Sequence, residues 1–186
     1  DGLDPVKYPS FAQQLQNAGY NTAIYGKWHL GLGLQFNPVY HGFDDFKGYL
    51  IGNIDLASHR DRFNKMDWWH NTKPFEEDGY ATYLFNKYAV DYIRDSQGEP
   101  FFLYVTHAAI HTPIQGPNDP PIRDGVNPPI YDNAPSLTEE DYQRRYREMA
   151  WPVAARSGPV CPGRQARRSA CRSRRRAGRF PRQHRC

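Results

Sequence analysis

The stretch Gly19-Tyr-Asn-Thr-Ala-Ile-Tyr-Gly-Lys-Trp-His-Leu-Gly31 decides the fold, because it joins a short helix to a strand and then to a long connection. Residues 10–18 predict the helix, with a serine at the N-cap, apolar residues at helical spacing and a glycine just past the end. Residues 21–25 predict the strand. Residues 26–53 contain several glycines and no helical period, which predicts an extended connection that lays loops over one face.

A second helix and strand follow in the same order. From Gly79 onward, apolar residues lie along one helical stripe that ends before Gly98. Phe101-Phe-Leu-Tyr-Val-Thr106 is a continuous apolar run, which is typical of a strand covered on both faces. A loop over 113–137 precedes a last helix, predicted from Thr138 to about residue 155. This order predicts an α/β fold with a mostly parallel sheet flanked by helices.

Charge divides the chain near Trp151. The 186 residues carry a formal net charge of +4, yet residues 1–150 sum to −7, and the remaining 36 residues hold eleven arginines and no acid. The three cysteines, Cys161, Cys171 and Cys186, also lie in that last part. Its composition cannot bury enough apolar surface to fold. We therefore expect a globular part over 1–152 and a low-complexity tail over 153–186, either disordered or translated out of frame.

Some functional classes receive no support from the sequence. No apolar run approaches the roughly 20 residues needed to span a bilayer, and no disulfide framework is indicated for the globular part. The chain begins without Met or a signal peptide, which suits a piece of a longer protein, and an upstream export signal could have been lost. The cellular compartment and the oligomeric state stay open.

Lys27 and His29 are the first candidate site residues. Residues i and i+2 of an extended segment face the same side, so these two are predicted to converge while Trp28 turns into the core. Functional groups in parallel sheets tend to lie just beyond the strand ends, where His111 also falls. An ammonium beside imidazoles suits an anionic centre. For an isolated Lys-x-His pair, a solvated lysine and a structural histidine at a turn are the alternative.

The length of the run decides between these interpretations. Residues 19–31 resemble the second signature of the type I sulfatase family, Gly-Tyr-x-Thr, a short spacer and Gly-Lys-Trp-His-Leu-Gly; only Tyr25 departs, since the family has a smaller aliphatic residue there. Residues 100–113 resemble the buried strand and His-Thr-Pro turn of the family, so that His111, and not His107, falls on its active-site histidine. The resemblance covers about residues 8–152. Further stretches similar to the arylsulfatase branch are His41–Gly48, Ile54-Asp55, Ser58–Arg60 and Gly79-Tyr80.

The resemblance implies a partial alkaline-phosphatase-like fold, incomplete in this chain, and a sulfuric ester hydrolase. Its expected substrates are sulfated carbohydrates or aryl sulfates. In the family a formylglycine hydrate attacks sulfur beside a bound calcium ion. Lys27 would neutralise charge on the sulfate, His29 would hydrogen-bond the formylglycine, and His111 would contact the sulfate or protonate the departing oxygen. Catalysis is thus assigned to all three, and substrate binding to Lys27 and His111.

The resemblance also identifies missing parts. The Cys-x-Pro-Ser-Arg motif that yields formylglycine and the Asp-Asn-Gly metal ligands do not occur in the sequence. Ligands for neither calcium nor formylglycine are therefore assigned, and the chain alone is expected to be inactive. Asp44-Asp45 is interpreted as a solvated loop edge rather than a calcium site. Asp67–Asn71 contains two tryptophans that either pack in the core or stack on a sugar ring.

Two other functions stay open at this point. Phosphate monoester or diester hydrolysis is possible on the same scaffold, because a fold alone does not fix the reaction. The arginine-rich tail is the one feature that favours nucleic-acid binding. Against it, the tail uses only arginine with residues of GC-rich codons, so a nucleic-acid partner is not expected.

Overall fold

The computed structural model describes residues 2–126 and 137–155, with side chains up to Met149. Residues 2–126 and 137–151 belong to one compact unit. The predicted tail, with its cysteines, lies outside the described residues apart from the helical residues 153–155. The boundary at residue 152 therefore stays a prediction.

Three helices and five strands make up the described part. In chain order they are α1 (Phe11–Asn17), β1 (Asn21–Lys27), β2 (Asp45–Tyr49), β3 (Trp69–His70), β4 (Lys73–Pro74), α2 (Ala81–Asp95), β5 (Phe101–Thr106) and α3 (Glu139–Ala155). Two short 3-10 helices, Leu34–Phe36 and Pro38–His41, lie between β1 and β2. Every predicted helix is present, and so are both predicted strands, although β1 extends two residues further than expected.

The sheet has the order β4-β3-β2-β1-β5. Its central strand β1 pairs in parallel with β2 and with β5, whereas β3 and β4 form an antiparallel extension. The predicted α/β fold with a mostly parallel sheet is confirmed. The prediction of a purely extended connection over 26–53 was wrong, because β2 lies within it. Asp45, Lys47 and Gly48 are residue types that strands disfavour, so only pairing with β1 reveals this strand.

Local capping explains where two of the helices begin. The Ser10 side chain accepts a hydrogen bond from the Gln13 amide at 3.0 Å, as an N-cap does. Thr138 accepts from the Asp141 amide at 3.1 Å, and the Asp141 carboxylate accepts from the Thr138 amide at 3.1 Å. Both predicted helix starts are confirmed, the second with aspartate in the place usually taken by glutamate.

The core lies on both faces of the sheet. On the face toward α2, Tyr25, Trp68 and Phe85 belong to one buried cluster. On the opposite face, toward α1, Ile24 and Trp28 belong to another. Neighbouring residues of β1 thus serve opposite faces, as strand geometry requires. The interpretation of Trp68 as a core residue is confirmed, since its side chain is fully buried.

β5 differs from its prediction. Within the described part of the chain it is the edge strand of the sheet, and Phe101 and Tyr104 are exposed. The expectation that both faces are covered was therefore wrong for this part. An apolar run shows that a strand is favourable, but it does not show which neighbours cover the strand.

Candidate active site at the carboxyl end of the central strand

The backbones of β5 and β1 leave no room for a side chain at Gly26 or Gly48. The φ of Gly26 is +123°, and a Cβ atom there would lie 2.0 Å from the carbonyl oxygen of Thr106. A Cβ at Gly48 on the other side would lie 1.9 Å from the Gly26 oxygen. The Thr106 hydroxyl donates to the Lys27 carbonyl at 2.8 Å. Only glycine fits at both positions, so the backbone fixes where Lys27 leaves the sheet.

Lys27 is the last residue of β1 and is half-buried. Burial lowers the pKa of its ammonium group. Among residues 2–126 and 137–149, no carboxylate forms an ion pair with it. A partly desolvated cation without such a partner is stabilised by a bound anion.

His29 has a backbone conformation that the sequence did not predict. Its φ is +57°, so the segment is not extended and the alternation of strand side chains does not apply. Its amide donates to the Leu50 carbonyl at 3.1 Å. Its ring packs over Gly52, where a Cβ would lie 3.0 Å from Nε2. The backbone after β2 therefore seats this histidine, while Trp28 is buried as predicted.

Asp67 supports this seat, and sequence analysis missed it. Its buried carboxylate accepts hydrogen bonds from the amides of Leu50 at 3.1 Å and Ile51 at 2.9 Å, and from the Trp69 indole at 2.6 Å. Burial raises the pKa of Asp67 although these donors favour the charged form. Leu50 thus links Asp67 to His29 through its two backbone groups. A single aspartate between Met66 and Trp68 carries no sequence signal for this role.

His111 lies in the turn after β5. Its amide donates to the Ala108 carbonyl at 2.8 Å, which holds the turn. Its Nδ1 lies 2.7 Å from the Thr112 carbonyl oxygen. A carbonyl can only accept, so the proton sits on Nδ1, and Nε2 is left for other partners. The ring of His107, by contrast, lies 6.2 Å from that of Phe85.

The electrostatic field at His29 brings these residues together. Burial is the largest cause that lowers the pKa of His29, followed by the positive charges of Lys27 and Arg62 and, when its ring is protonated, by that of His111. Within the described part of the chain, each charge that shifts this pKa is therefore cationic. His29 is neutral at pH 7 and can donate or accept a hydrogen bond. A cluster of cations of this kind attracts a multiply charged anion.

Arg62 is the member of this cluster that sequence analysis did not predict. It lies at the tip of a short turn outside the motifs that carry the resemblance. Together with His29 it lines an open depression of about 460 Å³. The other lining residues are Gly2, Leu3, Leu30, Gly31, Leu32 and Ile51.

Asp44 and Asp45 have structural roles. Asp44 accepts hydrogen bonds from the amide and the hydroxyl of Thr22, at 2.9 and 2.8 Å. Asp45 begins β2 and accepts from the Tyr25 hydroxyl at 2.6 Å. The interpretation as a merely solvated loop edge was incomplete, because both carboxylates tie β1 to β2. Across the described residues, no group of three potential ligands could hold a metal ion. The calcium of the family does not fit here.

The sulfatase family model matches residues 2–170. The chain belongs to the sulfatase family. The match includes Lys27, His29 and His111, and it continues past residue 152. No helix in the described part of this sulfatase chain is long and apolar enough to cross a membrane.

Named sulfatases are similar to much of the chain. N-acetylgalactosamine-6-sulfatase of Sus scrofa is 34% identical over 113 residues, which are 54% of this chain and 22% of the relative. Arylsulfatase J of Mus musculus is 30% identical over 122 residues, or 61% and 20% of the two chains. An arylsulfatase of Hemicentrotus pulcherrimus is 30% identical over 133 residues, or 62% and 24%. The chain thus spans about a fifth to a quarter of the length of these relatives.

A solved structure supports the fold. The crystal structure of Ps i-CgsB in complex with k-i-k-neocarrahexaose has a TM-score of 0.63 and 23% sequence identity. The similarity covers 83% of this chain and 36% of that chain. At this level of identity it confirms the fold alone, as a partial version of a larger α/β structure.

Proposed function

We propose that the protein to which this chain belongs hydrolyses sulfate esters, with Lys27, His29 and His111 placed around the sulfate group. One observation carries the proposal: Lys27 and His111 lie close enough to His29 to act on it electrostatically at the end of the central strand, and in the described part no anion acts on it there. A sulfate ester that gains charge on its leaving oxygen is stabilised by such fixed positive groups.

Each residue has a distinct proposed role. Lys27 neutralises the sulfate oxygens, because its half-buried ammonium lacks a carboxylate partner in the described part. His29 is neutral and hydrogen-bonds to the nucleophile or to a sulfate oxygen. His111 keeps its Nδ1 proton on the Thr112 carbonyl, so its Nε2 holds or delivers the proton for the departing alcohol oxygen. We also propose that the whole protein uses the calcium ion and formylglycine of its family.

The proposed substrate is a sulfated carbohydrate or an aryl sulfate. The names of the relatives support both classes, since one is an N-acetylgalactosamine-6-sulfatase and others are arylsulfatases. The open depression beside His29 is large enough for a sugar, since small-molecule sites begin at about 300 Å³.

The test measures hydrolysis of 4-nitrophenyl sulfate and 4-nitrophenyl phosphate by the full-length enzyme. We expect the sulfate to be the better substrate and His111→Ala to lower kcat by about 10²-fold or more, because the general acid is lost. Lys27→Ala should lower kcat/KM as well.

His107→Ala is the matched control, since it removes another exposed imidazole four residues away from His111. It should leave kcat within a factor of about two. Equal losses for the His107 and His111 variants would remove the acid role. Faster hydrolysis of the phosphate ester would replace the proposed reaction by phosphate ester hydrolysis.

A further inference from the structure

We propose that Arg62 binds a second anionic group of the substrate, so that the preferred substrate is a sugar bearing another sulfate or a carboxylate besides the ester that is cleaved. The inference rests on the proposed function and deepens it. The inference defines the substrate class by its number of negative charges and assigns Arg62 as the residue that selects this class.

The turn that carries Arg62 is held firmly by hydrogen bonds. The buried carboxylate of Asp61 accepts from the amides of Phe63 at 2.8 Å and Lys65 at 2.9 Å. The Asp61 amide also donates to the Lys65 carbonyl at 2.7 Å. One side chain therefore closes the turn, and the backbone of Arg62 has a fixed position on it.

This turn is tied to the seat of His29. A bridge between Arg60 and Met66 continues the turn, and Asp67 follows directly. Asp67 binds the amides of Leu50 and Ile51, the first of which carries the carbonyl that accepts from His29. The guanidinium and the imidazole are thus presented by one hydrogen-bonded unit, which explains why both line the same depression.

Arg62 and Lys27 serve different parts of this region. Lys27 and His111 are not among the residues that line the depression, whereas His29, Arg62 and Ile51 are. His29 therefore lies between the proposed sulfate position at the strand ends and the depression that Arg62 borders. A sugar whose ester lies at Lys27 would extend into this depression and bring its other substituents to Arg62.

The chemistry of Arg62 suits an oxyanion. It is exposed, and within the described residues no carboxylate forms an ion pair with it. Its guanidinium lies 5.3 Å from the centre of the Phe63 ring, a contact that orients the charged group without neutralising it. The planar fork of arginine binds a two-oxygen face better than the point charge of lysine does.

The test compares kcat/KM of the full-length enzyme for a hexose monosulfate, the corresponding disulfate and a sulfated uronate, with released sulfate as the readout. We expect a preference for at least one doubly charged sugar. Arg62→Ala should reduce that preference about tenfold through KM, since a charge-assisted hydrogen bond is lost, and Arg62→Lys should retain part of it.

Lys65→Ala is the matched control, because Lys65 is an exposed cation of the same turn that does not line the depression. It should leave the preference unchanged. An unchanged preference in Arg62→Ala, or an equal loss in Lys65→Ala, would overturn the inference while leaving sulfate hydrolysis intact. Hydrolysis of 4-nitrophenyl sulfate but of none of the three sugars would overturn the inference alone, whereas absence of hydrolysis of all four esters by the unaltered enzyme would overturn the proposed function.

Discussion

Backbone packing around Gly26 fixes the position of the next residue, Lys27, at the end of β1. Gly26 meets the backbone of Thr106 on one side and that of Gly48 on the other. A side chain in the core can relieve an overlap by rotation, but a backbone atom that lies about 2 Å from an added Cβ atom cannot move in this way.

Gly26→Ala should therefore destabilise the chain by about 2–4 kcal/mol, from overlap together with a positive φ. Urea unfolding measures the loss. Gly98→Ala is the control, because Gly98 also has a positive φ, +94°, but a Cβ atom added there would meet nothing within 4 Å. It should lose only about 1–2 kcal/mol. Similar losses in the two variants would show that the overlap with Thr106 is relieved at little cost.

The site residues differ in how well they could be predicted from the sequence. Lys27, His29 and His111 stand in motifs that can be matched position by position, and the structure places the first and last within electrostatic range of His29. Arg62 could not be predicted, because an arginine in a short turn has no period and belongs to no motif. The left-handed backbone of His29 was also hidden, since few residues other than glycine adopt it.

Among the elements, local signals decided which were predictable. The caps and apolar stripes of α1, α2 and α3 lie within each helix, so the sequence announces them. β2 depends on its partner strand. Asp45-Phe-Lys-Gly-Tyr49 forms a strand because its backbone pairs with that of β1 in parallel register. The backbone just beyond β2 is in turn held by Asp67, a contact between segments 16 and 17 residues apart.

Asp67→Asn should lower the free energy of unfolding by about 1–3 kcal/mol, because an amide nitrogen would face backbone N–H groups from which a carboxylate oxygen now accepts hydrogen bonds. The loss is measured by urea unfolding, and the amide NMR signal of His29 should shift, since Leu50 links the two residues. Asp78→Asn, at an exposed position, is the control and should change neither quantity. A stable variant with an unmoved His29 signal would contradict the positioning role of Asp67.

At the scale of the whole molecule, histidines are buried on both sides of the sheet. His41 lies against Trp28 on the α1 side, with ring centres 4.9 Å apart. His59 stacks on Trp68 on the α2 side at 3.9 Å, and its Nε2 lies 2.9 Å from the Gly79 carbonyl oxygen. Burial lowers the pKa of both, although for His59 that carbonyl favours the protonated form. Both are therefore neutral in the folded chain near pH 7.

The folded chain should lose stability as the pH falls below about 6.5, the ordinary histidine pKa. In that range the unfolded chain binds protons that the folded chain does not, so the free energy of unfolding decreases with falling pH. Urea midpoints at pH 7.5, 6.5 and 5.5 measure the effect.

His59→Phe keeps an aromatic ring against Trp68 but cannot titrate. Its free energy of unfolding should therefore fall less steeply between pH 6.5 and 5.5, whereas above pH 7 the two curves should run parallel. An identical decline in both proteins over the acid range would show that His59 takes up its proton without unfolding.

The glycine pair at Gly26 and Gly48 also governs how this architecture tolerates change. A slip of one residue between β1 and β2 would set a tyrosine or a lysine side chain against a backbone that has no room for it. The two strands are thus locked in alignment just before the loops begin. An insertion or deletion in the turn that carries Arg62 would therefore leave the Lys27 ammonium group in place, although it would disturb His29, which that turn supports through Asp67 and Leu50. The position of Lys27 is thus inherited from strand alignment, and a change in loop length reaches only its neighbours.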